Sequence, residues 1–181
     1  MALTVNVHRT ATRLDEHTCD DRDACREAGH HWLFADLGFE ASLRGLEPIT
    51  VGKTPWPGIG EYVAGAGWFK VSAPDWGANY PNYSYGAHSA FRDALAMLVL
   101  GVSAETVWAD PGAYRDRPFF ELIQFADNAG NIGPLACADL AVDSAEHKRD
   151  AAGCDLAFQD DYRRWSDACH AAAGTGVLDF R

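Results

Sequence analysis

Two stretches of this chain gather residue types that bind or react. Asp127-Asn128-Ala129-Gly130-Asn131-Ile132-Gly133-Pro134 combines two Gly and two Asn, which tolerate positive φ and let a loop turn its backbone amides inward. Pro134 suits the first position of a helix, whose free N–H groups and positive dipole end add capacity for an anion or polar ligand. Asp127, Asn128, Gly130, Asn131 and Gly133 are therefore ligand-binding candidates. The plainer alternative is a tight turn leading into a capped helix. Asp127 also departs from a simple phosphate cradle, because its charge repels an anion unless it meets a ligand hydroxyl or shapes the loop.

The second stretch is rich in aromatic rings. Trp76, Tyr80, Tyr83, Tyr85 and His88 could stack on a flat ligand or anchor a protein partner at little entropic cost. Arg92, one helical turn beyond His88, could add a bidentate contact to a carboxylate or phosphate. Roofing a small core would use the same aromatic residues. If His88, Arg92, Glu121 and Asp127 converge, a carboxylate beside an imidazole could instead do general acid–base work on a polar metabolite.

Familiar signatures are mostly excluded. Gly52-Lys53-Thr54 resembles the end of a phosphate-binding P-loop, but Glu47 stands where the motif needs its first Gly. No Gly-x-Ser-x-Gly elbow, His-Glu-x-x-His helix or Pro-Cys-x-x-Cys deaminase motif is present. His17, Cys19, Cys25, His30 and His31 bring metal-capable side chains into one stretch, yet their spacing matches no zinc finger or ribbon. No metal site, cofactor or catalytic residue is assigned.

The elements that must position these residues follow from periodicity. Leu3, Val5 and Val7 alternate as in a strand, and 46–51 and 62–71 read as further strands. Asp20 to Phe39 reads as a helix with Trp32, Leu33, Leu37 and Phe39 on its apolar side. A helix from Ser84 or Ser89 carries Phe91, Leu95 and Leu98, and another from Pro134 carries Leu135, Ala138, Val142 and Ala145. Residues 118–125 fit a strand or a helix equally. Phe158, Tyr162, Trp165 and Cys169 form a core stripe on a last helix, followed by Val177–Phe180 as a short edge strand. The expectation is one α+β domain over 1–181. In it, a small, mostly antiparallel sheet from the N-terminal half packs against three or four helices from the C-terminal half.

Composition sets the class. The chain has 181 residues, of which 48% are apolar and 23% charged, as in globular proteins. Fifteen Lys and Arg against 26 Asp and Glu give a net charge of −11, which disfavours nucleic acid and anionic membranes as partners. No apolar run reaches the ~18–20 residues of a membrane helix, and the first residues lack a signal-peptide pattern. Five cysteines without repeating spacing read as reduced thiols, so a soluble cytoplasmic protein is expected.

Ser84-Tyr85-Gly86, Phe91-Arg92, Phe120-Glu121-Leu122-Ile123, Phe125-Ala126-Asp127, Gly130, Ile132-Gly133-Pro134 and Asp179-Phe180 resemble a family of uncharacterised bacterial and phage proteins. The resemblance covers roughly the C-terminal two-thirds and implies no activity or catalytic residue. It implies a phage or mobile-element context in which a host factor is a plausible target. The reading is a non-catalytic binding protein for a small polar, nucleotide-like ligand or a host protein. The alternatives are the acid–base enzyme described above, or an interaction protein whose aromatic patch makes a homo-oligomer.

Overall fold

The computed structural model describes residues 2–14, 27–33, 36–37, 67–75, 81–124 and 130–180. The fold is α+β, with helices of the second half packed on small, mostly antiparallel sheets. The strands are β1 (Ala2–His8), β2 (Ala11–Arg13), β3 (His30–Leu33), β4 (Asp36–Leu37), β5 (Gly67–Val71), β6 (Asn82–Ser84), β7 (Gly130–Ile132) and β8 (Val177–Phe180). The helices are α1 (Tyr85–Leu100), α2 (Ala104–Ala109), α3 (Pro111–Tyr114), α4 (Phe120–Gln124), α5 (Pro134–Glu146), α6 (Lys148–Ala151) and α7 (Leu156–Ala172). None of the described helices is long and apolar enough to cross a membrane.

One sheet has the order β4-β7-β8-β1-β6 and the other β2-β5-β3. Only the β4–β7 pairing is parallel among those described. Strand β1 serves two partners in succession: Ala2–Thr4 pair with β6, and Val5–His8 pair with β8. The strand β8 is therefore internal rather than an edge. Its four residues are all buried between β7 and β1.

Alternation gives the larger sheet two different faces. Val5, Val7, Ile132, Leu178 and Phe180 join the main core with the helices. On the other face Val177 packs with Val71 of β5, and His8 Nδ1 donates to the Ser72 carbonyl at 2.6 Å.

The expected helix over 20–39 holds at Glu27 and is corrected from His30 on. His30–Leu33 is a strand, paired antiparallel with β5 so that Trp32 lies opposite Trp68. Aromatic residues suit a pleated surface, and pairing with β5 outweighs the helical spacing of Trp32 and Leu33. Asp36–Leu37 is a strand as well, and residues 20–26, 34–35 and 38–39, like the expected strand over 46–51, lie outside the described residues.

The helices start where local chemistry supports them. Ser84 caps α1 by accepting from the Ala87 N–H at 3.2 Å, and Gly101 ends it at φ 71°, a left-handed conformation that Gly adopts without a Cβ penalty. Asp155 caps α7 by accepting from the amides of Ala157 and Phe158. Along α7, Phe158, Tyr162, Trp165 and Cys169 are all buried against α5, β1 and β8. The helix α5 forms as expected from Pro134, but Leu135 and Val142 face outward while Ala136, Cys137, Leu140 and Ala141 are buried.

Candidate functional site

The helix α1 carries two of the candidate residues into the interior. His88 is 0% and Arg92 4% exposed, and both fall on the same stripe as Phe91 and Leu95. The expectation of Arg92 as an exposed fork one turn into its helix is thereby corrected. Its guanidinium lies 4.9 Å from the centre of the Trp108 ring, and its Nη2 donates to Ser89 Oγ at 3.4 Å. Trp108 is itself fixed by donating to the Ile123 carbonyl at 2.8 Å. His88 sits among rings, 5.4 Å from Trp165 and 6.3 Å from Phe180 between centroids. Burial, and secondarily the charge of Arg92, lower its pKa from 6.5 to about 3.

Facing this layer is α4, which packs on α1 and resolves the ambiguity of 118–125 as a short helix. Every residue of α4 is buried, including Glu121 at 0% exposure and Gln124. Its start is held by an uncommon device. Phe119 takes a left-handed φ of 58°, and its N–H donates to Asp143 Oδ2 of α5 at 2.7 Å. That backbone strain costs of order ~1–3 kcal/mol in a non-glycine residue. The position of Glu121 thus depends on a tie between α4 and α5. Arg92 of α1 and Glu121 of α4 are each buried, where a lone charge is costly.

The Asn131 side chain has a different role from a loop ligand. Asn131 lies in β7, and its Nδ2 donates to Asp179 Oδ1 at 2.9 Å in the sheet interior. The register aligns Asn6, Asp179 and Asn131 across three neighbouring strands, so a polar row crosses the sheet face turned away from the helices. Gly133 is extended at φ −83° and ψ 179°, which corrects the expectation of positive φ there.

The remaining candidates are dispersed. Tyr85 opens α1 and packs half-buried against the main core. Tyr83 lies on β6 and Gly130 on β7, with β1 and β8 between them. At ~4.8 Å per strand, a ligand shared by both would have to span ~14 Å. Trp76, Tyr80, Asp127 and Asn128 lie outside the described residues, as do His17, Cys19 and Cys25; His30 and His31 are successive positions of β3. Among the described residues no three His, Cys, Asp or Glu side chains gather as a metal site.

Sequence reasoning missed a groove on the face of α7 next to the aromatic stripe. A cavity of about 390 Å³ lies between α5, α6 and α7, with Ala145, Ala151, Ala152, Lys148, Arg163 and His170 among its lining residues. Tyr162 closes its base: the phenol donates to the Ser144 carbonyl at 2.9 Å, and burial raises its pKa, helped by the charges of Asp143 and Asp150. The signal was present in the spacing of Gln159, Arg163, Ser166 and His170, a polar stripe at i, i+4, i+7 and i+11.

No protein-family model, curated protein or solved structure matches this chain, so the resemblance of the 84–180 motifs stands on those residues alone.

Proposed function

We propose that this chain acts by binding a small polar ligand rather than by catalysis. The observation that supports this reading is the sealing of His88 and Glu121, both at 0% exposure. A general base must come within hydrogen-bond reach of the proton it removes, and these two side chains have no open path to a substrate. An imidazole whose conjugate acid has a pKa of about 3 is also a weak proton acceptor at neutral pH. Of the acid–base candidates, His88 and Glu121 are buried and Asp127 lies outside the described residues.

A native mass spectrum of freshly purified protein tests the reading. A small non-covalent mass lost on denaturation is expected. Turnover of a metabolite extract that disappears in Glu121→Gln, with melting unchanged, would overturn it.

One observation favours a protein partner, such as a host factor, as a second reading. Leu135 and Val142, seven residues apart on α5, are 50% and 57% exposed and present apolar area on one outward face.

A further inference from the structure

We infer that the outward face of α5 docks an amphipathic helix of another protein, one whose apolar seam is flanked by Lys or Arg. The inference goes beyond the ligand reading. It rests on the second reading, a protein partner, and gives that partner a chemistry.

The seam is written in α5 itself. Leu135, Ala138, Val142 and Ala145 recur at i, i+3, i+7 and i+10, the spacing of a helix that packs along a second helix. Leu135, Val142 and Ala145 are exposed and Ala138 is half-buried. A different face of α5 is already buried through Ala136, Cys137, Leu140, Ala141 and Ser144, so the helix carries more apolar area than its packing on the domain uses. Large and small residues alternate along the seam, which leaves recesses over Ala138 and Ala145 for a partner's side chains. At its end the seam opens into the groove between α5, α6 and α7, which Ala145 lines together with Ala151, Ala152 and Tyr162. That cavity of about 390 Å³ is a socket for one large apolar side chain, the kind of anchor on which helix-in-groove docking depends.

Charge defines the partner's flank. Asp139, Asp143 and Glu146, at i, i+4 and i+7, run beside the seam, and α5 contains no Lys or Arg. Asp143 accepts from the Phe119 N–H, whereas Glu146 is exposed and makes no ion pair among the described residues. An acid in the last turn opposes the helix dipole, so Glu146 does not serve the stability of α5. Lys148 and Arg149 follow in α6, so the complementary helix is basic alongside α5 and carries no base beyond its end. A second copy fits less well, because each chain carries −11 and would bring the same acids to the seam.

The test is a titration of the full chain, followed by amide chemical shifts, with synthetic heptad peptides. One has Leu at the seam positions and Lys flanking them, one has Glu in place of Lys, and one is a scrambled isomer of the Lys peptide. Saturable shifts of Leu135, Val142 and Ala145 are expected with the Lys peptide, at a Kd of ~100 μM or below. The Glu peptide and the scrambled isomer should each bind at least about tenfold more weakly. Val142→Glu should melt as the wild type does and lose about tenfold in affinity. Glu146→Lys should melt no lower than the wild type yet bind the Lys peptide more weakly. Absence of saturable shifts on α5, equal binding of the scrambled isomer, or unchanged affinity in Val142→Glu would each overturn the site. Equal binding of the Glu peptide would overturn the basic partner and leave the protein-partner reading in place. A dimer seen by sedimentation velocity and lost in Val142→Glu would assign the face to a second copy and overturn the inference as well.

Discussion

Asn131 Nδ2 donates to Asp179 Oδ1 at 2.9 Å across β7 and β8, in a pair almost wholly removed from water. An amide beside a carboxylate satisfies that carboxylate without adding a second charge. Asn131→Asp would set two carboxylates side by side. The variant should lose about 2–4 kcal/mol of stability at pH 7 and less at pH 4, where protonation relieves the repulsion. Urea unfolding at the two pH values checks this.

Arg92 and Trp108 form a second internal tie, with the guanidinium 4.9 Å from the ring centre. Arg92→Ala removes that contact together with the bond to Ser89, and empties a buried position beside Trp108. A loss of about 2–4 kcal/mol is expected. A double-mutant cycle with Trp108→Leu should show coupling between the two sites, whereas additive losses would separate them.

Trp165 is 2% exposed and stacks on Phe91 and Phe180. Trp165→Ala should cost about 3–5 kcal/mol. In a chain of this size that lowers the melting temperature by roughly 10 °C. Unchanged melting would contradict its place at the junction of α1, α7 and β8.

Gly176 has no space for a side chain. A Cβ there would meet the His8 carbonyl oxygen and lie 2.7 Å from Ala172 Cα. Gly176→Ala should therefore destabilise markedly by forcing β8 away from the end of α7. Gly101→Ala meets no such crowding but must hold a left-handed φ, so a smaller loss of ~1 kcal/mol is expected. Thermal melts of the two variants give the order directly.

The parts of the fold legible in sequence were those where period and cap agree. Phe158, Tyr162, Trp165 and Cys169 announce α7, and Ser84 with Phe91 and Leu95 announces α1. The burial of His88 and Arg92 was legible too, since they repeat on the stripe of Phe91 and Leu95. Their polar character drew the reading towards the surface. The interior position of β8 was not legible, because four residues say nothing about which strands flank them. The pairing of Asn131 with Asp179 was hidden for the same reason: it depends on register across 48 positions of chain. Helix α4 is too short to show a period, and the tie from Phe119 to Asp143 that starts it is tertiary.

His88 also links the fold to pH. Its folded pKa of about 3 lies below the unfolded value of 6.5, so the unfolded chain takes up a proton first as pH falls. The stability this group contributes is complete above pH 6.5 and is lost progressively as pH drops towards 3. His88→Phe should flatten the pH dependence of unfolding between pH 6.5 and 4.

The sealing of His88 is most directly measured by following its ring nitrogens by NMR from pH 8 to pH 4 in the folded protein. A ring that stays neutral throughout, with no midpoint in that range, is expected of a group buried against Trp165 and Phe180. A midpoint near 6.5 would mean an imidazole open to water and able to exchange protons with a substrate, and would contradict binding without catalysis.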